Sequence, residues 1–122
     1  MRIRMMLAGV AAAGLMAFPA MADDGQYGEP LGQMLAEAAE GTCAEALMAP
    51  GLLSACQGQI AGMAQGLQAL GPIESMTLVS AQDTAEGRVE TWSVKYAGGQ
   101  TINWFIGQRQ PDGKFAAAGT AN

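Results

Sequence analysis

Leu53, Cys56, Ile60, Met63, Leu67 and Leu70 follow one another at steps of three or four residues, and at Pro72 that period stops. Such steps place the six side chains on one stripe of an α-helix, opposite Gln57, Gln59, Gln65 and Gln68. Beyond Pro72 apolar residues recur at every second position, the period of a strand with one buried face. A helix with one apolar face, followed by strands with one apolar face, hides both by laying one on the other. The chain is therefore expected to form an α+β two-layer domain, with N-terminal helices on a four-stranded antiparallel meander.

Pro50 suits the first turn of the long helix, and Gly71-Pro72 ends it. Gly58, Gly62 and Gly66 each weaken the helix by ~1 kcal/mol relative to alanine. Their spacing of four predicts that another backbone comes close on that side. Upstream, Pro30 and the recurrence of Leu31, Met34, Leu35 and Ala38 predict an earlier helix that stops at Gly41. Thr42-Cys43-Ala44-Glu45 has the Thr-x-x-Glu form of a capping box, which predicts a second short helix carrying Cys43 and Leu47.

Residues 1–22 have the pattern of a cleavable export signal. Arg2 and Arg4 form a basic head, Met5 to Phe18 an apolar run, and Ala20 and Ala22 a small-x-small site. A membrane anchor needs about 20 apolar residues, and this run of fourteen ends at Pro19. Cleavage after Ala22 would leave a mobile leader, residues 23–29, and a single domain, residues 30–122. It would also leave no membrane span and a periplasmic or secreted protein.

Loss of Arg2 and Arg4 takes six basic residues to four against eleven acidic, a net charge of −7. A chain so acidic repels phosphate backbones, which argues against nucleic acid as a partner.

Cys43 and Cys56 are the only cysteines. An even count in an exported chain predicts a disulfide. It would close a loop of about 14 residues and contribute ~3 kcal/mol in the chain-entropy model. The spacing is not Cys-x-x-Cys, so the pair reads as a staple rather than a redox couple.

Three strands are expected at Ile73 to Gln82, Arg88 to Ala97 and Thr101 to Arg109, with a last short one around Phe115 to Ala118. Met76 and Leu78 share a face, as do Trp92, Val94 and Tyr96, and Ile102, Trp104 and Ile106. A two-residue Gly98-Gly99 turn would set apolar positions against polar ones. A three-residue loop, Gly98-Gly99-Gln100, keeps the apolar faces together and pairs Tyr96 with Ile102, Val94 with Trp104 and Trp92 with Ile106.

The stretch from Leu70 to Leu78, then Val94-Lys95-Tyr96, Trp104, Ile106 and Pro111-Asp112-Gly113-Lys114, resembles the small cystatin-like (nuclear-transport-factor-like) domains of exported bacterial proteins. Some of these are attached to serine hydrolases of the β-lactamase type. The resemblance spans roughly Leu52 to Gly119 and implies a helix wrapped by a curved antiparallel sheet. It implies no activity, because that superfamily holds enzymes, ligand binders and assembly modules. The chain has no Ser-x-x-Lys, so hydrolase activity does not carry over.

No histidine occurs anywhere in the chain. That removes His-based triads, most zinc and copper sites, and the commonest general base. No cofactor and no metal site are expected. The leading expectation is a non-catalytic binding or interaction module, with Trp92, Tyr96 and Trp104 either as core or as the lining of a pocket for an apolar or planar ligand. On the outer sheet face, Lys95, Asn103, Phe105 and Arg109 frame either a solvated surface or one for self-association as a homodimer or for an envelope protein. Two further readings stand beside it. One is a histidine-free enzyme using Glu74, Asp83 or Glu90 beside the aromatic cleft. The other is a structural partner domain of an envelope enzyme.

Overall fold

A computed structural model describes residues 25–121. The proposed signal, and Asp23 and Asp24 of the leader, lie outside them. Two helices, α1 (Gly28–Ala39) and α2 (Pro50–Leu70), precede strands β1 (Ile73–Thr84), β2 (Gly87–Tyr96), β3 (Thr101–Arg109) and β4 (Phe115–Thr120). The strands form one antiparallel sheet in the order β1-β2-β3-β4, and the helices pack against it. The α+β meander read from the two periods is what the chain forms.

α1 begins two residues before Pro30, with Tyr27 at the N-cap and the first helical bond from Leu31 N–H to the Tyr27 carbonyl at 3.0 Å. Pro30 is tolerated there because first-turn N–H groups have no partner within the helix. Part of the expected mobile leader therefore belongs to the fold. Tyr27 is buried, and its ring meets Phe115 edge-on with centroids 4.9 Å apart.

The capping box at Thr42 does not start a helix. Gly41, at φ +88°, ends α1 in a Schellman turn, in which Gly41 N–H bonds to the Ala38 carbonyl and Thr42 N–H to the Glu37 carbonyl, both at 3.0 Å. The N–H that the Glu45 side chain would have to reach is thus already committed. Residues 40–49 instead run back as turns, and Cys43 and Cys56 lie in disulfide geometry, with Cα atoms 6.1 Å apart. Met48 then forms a parallel bridge to Phe115 at the start of β4.

α2 matches its expected limits, from Pro50 at the first position to Gly71 at φ +86°. Its C-terminus is closed by the β2–β3 loop, where Ala97 N–H bonds the Pro72 carbonyl at 2.8 Å and Gly98 N–H bonds the Leu70 carbonyl at 3.0 Å. The backbone approach expected along Gly58, Gly62 and Gly66 is not found. All three are exposed, and a Cβ at any of them would meet nothing within 4 Å among the described residues. α2 packs mainly on α1 and reaches the sheet chiefly at β4. Its neighbour α1, with Leu31, Met34, Leu35 and Ala38 all buried, supplies much of the cover over the sheet.

The β2–β3 register keeps the expected parity but is displaced by two residues. Trp92 faces Trp104, Val94 faces Ile102, and Glu90 faces Ile106. The loop is three residues long, but it is Ala97-Gly98-Gly99, closed by Gly99 N–H to the Tyr96 carbonyl (2.9 Å) and Tyr96 N–H to the Gln100 carbonyl (2.8 Å). A three-residue loop of this kind needs a left-handed residue in its last position. Gly99, at φ +95°, fills that place, where the expected loop would have put Gln100. The β3–β4 loop repeats the device with Pro111-Asp112-Gly113, Gly113 standing at φ +89°.

β1 carries two irregularities, near Glu74 and Val79. Ile73, Met76, Leu78 and Ala81 face Tyr96, Val94, Trp92 and Glu90 in turn. The three-residue steps, from Ile73 to Met76 and from Leu78 to Ala81, each absorb one extra residue and so keep these side chains on the helix side.

Candidate functional site

Trp92, Val94 and Tyr96 alternate on the helix side of β2 and are all buried, as are Trp104 and Ile106 on β3. The structure does not join the three aromatic side chains in one pocket. Trp92 is wholly enclosed and lines neither of the two clefts described below. Trp104 donates its indole N–H to the Tyr96 hydroxyl at 3.0 Å, and the two residues border different clefts. Burial raises the Tyr96 pKa, with the bond from Trp104 acting the other way. The phenol therefore stays neutral and can accept that indole hydrogen at any ordinary pH.

The first cleft has a volume of about 370 Å³ and opens between α1, α2 and the β3–β4 end of the sheet. Met34, Met48, Leu52, Met63 and Trp104 make most of its wall, and Gln59 and Thr120 are its polar side chains. No Asp, Glu, Lys or Arg lines it. The second, about 390 Å³, lies between the C-terminal ends of both helices and the start of β1, with Leu67, Ile73 and Tyr96 in its wall and Glu40 and Gln68 at its polar margin. Volumes of this order suit small organic ligands, and apolar walls with few polar groups are what such sites have.

Glu90 points to the same side of β2 as Trp92 and is fully buried. Its Oε1 accepts from Tyr27 N–H (2.9 Å) and Trp92 Nε1–H (2.9 Å), and its Oε2 accepts from Gln26 N–H (2.8 Å) and Arg88 Nε–H (2.7 Å). Burial pushes its pKa up. The hydrogen bonds from Arg88, from the Tyr27 and Gln26 amides and from Trp92 outweigh it, leaving the group below its ordinary value. This carboxylate is an anionic knot that ties the residues before α1 to the sheet. Alternation along β2, which sets Glu90 two residues before Trp92, was the sequence signal that it lies inside.

The other carboxylates of the enzyme reading lie elsewhere. Glu74 is exposed with Lys95 Nζ at 3.8 Å, and Asp83 is exposed at the far end of β1. Neither they nor Glu90 lines either cleft. Among the described residues no group of three His, Cys, Asp or Glu side chains is placed to hold a metal ion.

Of the four outer-face residues, Lys95 pairs with Glu74, and Asn103 lies opposite Ser93. Phe105 faces Gly119 across the β3–β4 ladder, and a Cβ on Gly119 would stand 3.1 Å from its ring. The ring thus covers a glycine of the neighbouring strand. Arg109 is exposed and lies beyond Gln108, whose backbone is left-handed at φ 57°. No helix among the described residues is long and apolar enough to cross a membrane. Comparison with known proteins gives no match to a family model, to a curated protein or to a solved structure.

Proposed function

We propose that this domain is an exported, non-catalytic binding module of cystatin-like architecture, and that it holds an apolar small molecule in the cleft bordered by Trp104. The observation that carries the reading is the first cleft itself, an opening of about 370 Å³ beside the core whose walls bear no ionisable side chain. Ionisable groups able to act as acid or base lie outside it, and the best-buried of them, Glu90, already has four donors on its two oxygens. Export is supported by the signal pattern of residues 1–22 and by the Cys43–Cys56 disulfide, which suits an oxidising compartment. Helices lying on one face of a four-stranded antiparallel sheet support the cystatin-like architecture.

Native mass spectrometry of protein purified from the periplasm tests the reading directly. The expected result is a bound molecule lost on denaturation, together with quenching or a shift of tryptophan emission when an apolar probe is added to stripped protein. Stripped protein that takes up no apolar probe, under conditions where the domain is folded, would overturn it.

A further inference from the structure

The two clefts are arranged in series. Along α1 the two linings meet at Leu35, with Leu31, Met34 and Ala38 on the first cleft and Ala36, Ala39 and Glu40 on the second. Along α2 the lining passes in the same sense, from Leu52 in the first to Leu67 in the second. The floor runs with them across all four strands, from Thr120 on β4 through Trp104 on β3 and Tyr96 on β2 to Ile73 on β1. Trp104 and Tyr96, joined by their hydrogen bond, make the floor continuous where one cleft gives way to the other. Above them one residue belongs to both linings, the buried side chain of Leu35.

From this geometry we infer that the first cleft takes a single uncharged alkyl chain, and that Leu35, the residue it shares with the second cleft, is the divider that stops the chain short of that second cleft. The inference rests on the binding reading above and adds the ligand class and the specificity-determining residue. An apolar cleft that ends at a single buried side chain sets a limit on chain length. The absence of charge follows from what lines the walls. None of Arg88, Lys95, Arg109 and Lys114 borders either cleft, and the one carboxylate that does, Glu40 on the second, would repel an acidic head. Gln59 and Thr120 offer an amide and a hydroxyl, which suit a hydroxyl or carbonyl end group.

Calorimetric titration of the folded domain with decanol, decanoate and hexadecanol, delivered from cyclodextrin, tests this. Wild type should bind decanol more tightly than decanoate and gain nothing from the longer alcohol. Ala55→Phe, at an exposed helix position on the first cleft, should weaken decanol binding. Leu35→Ala should open the partition and tighten hexadecanol relative to decanol by about tenfold or more, the gain from burying two or so further methylenes. Leu35→Val, a milder truncation, should move the ratio in the same direction and serves if the alanine variant does not fold. If decanol binds wild type but both Leu35 variants leave the ratio unchanged, the divider is wrong and the binding reading stands. Equal affinity for decanol and decanoate would overturn the uncharged ligand class. No binding of any of the three probes to any folded variant would overturn the binding reading itself.

Discussion

The indole N–H of Trp92 donates to Oε1 of Glu90 at 2.9 Å, two positions away on the same strand. That bond joins a fully buried aromatic side chain of the core to the one fully buried charge among the described residues. It also makes the start of the fold depend on the middle of β2, because the same carboxylate holds the Gln26 and Tyr27 amides.

Removing the carboxylate should therefore cost more than an ordinary polar substitution. Glu90→Ala takes the acceptor from the buried Tyr27 N–H and Trp92 indole N–H and from the part-buried Gln26 N–H. A buried donor left without its acceptor costs ~1–3 kcal/mol. Urea denaturation should show a lower midpoint, and limited proteolysis should cut near Gln26 earlier than in wild type.

The same group predicts how stability changes with acid. Glutamate in an unfolded chain titrates near ~4.3, and Glu90 in the fold titrates below its ordinary value. Its contribution is then fully present above the unfolded pKa and disappears as pH falls through the lower folded one. Across that acid window the stability of wild type should fall with pH more steeply than that of Glu90→Gln, in denaturation curves measured at a series of pH values.

Reduction of the Cys43–Cys56 bridge, or Cys43→Ser with Cys56→Ser, should lower stability by ~3 kcal/mol. Thiol counting on oxidised, denatured protein should give no free thiol, and reductant should reproduce the shift of the double variant.

The glycines of α2 and of the sheet should respond in opposite senses. Gly58, Gly62 and Gly66 have open space where a Cβ would go, so alanine at each should stabilise by ~0.5–1 kcal/mol. Gly107 is buried, and its Cβ would stand 2.5 Å from the Arg88 carbonyl oxygen and 2.7 Å from Val89 Cα. Gly107→Ala must push β2 and β3 apart, at a cost of ~1–3 kcal/mol or more. Thermal melts of the two sets should move in opposite directions.

Gly99→Ala tests why the β2–β3 register is where it is. A left-handed L-residue costs ~1–2 kcal/mol, whereas Gly98→Ala would instead press a Cβ to 2.9 Å from the Leu70 carbonyl oxygen at the end of α2. Amide-exchange protection should drop along the hairpin for Gly99→Ala and extend to the last turn of α2 for Gly98→Ala.

Periodicity made the long helix, the sheet and the shared face of Trp92, Val94 and Tyr96 legible, because those features repeat along the chain. What depended on competition between neighbouring devices was less so. Thr42 to Glu45 has a good helix-start pattern, yet the Schellman turn at Gly41 claims the Thr42 amide first. In the β2–β3 loop, parity alone allowed the register that was expected, and the requirement for glycine in the left-handed place excluded it. That signal lies in Gly99, the residue that takes the left-handed place at φ +95°. The first cleft was not legible at all, since its walls come from α1, α2, β3 and β4, and no single window of sequence brings Met34, Met63 and Trp104 together.

The irregularities of β1 have a consequence for how these molecules meet one another. β1 and β4 are the two outer strands of an open sheet, where unpaired amides and carbonyls invite strand addition from a second chain. At β4 the entry is occupied from within by the Met48 bridge at Phe115. At β1 the breaks near Glu74 and Val79 divide the free margin into short runs, and bulges of this kind blunt an edge against strand addition. The extra residue at Val79, which leaves a valine 55 % exposed, thus interrupts the longest stretch of edge that a second strand could extend.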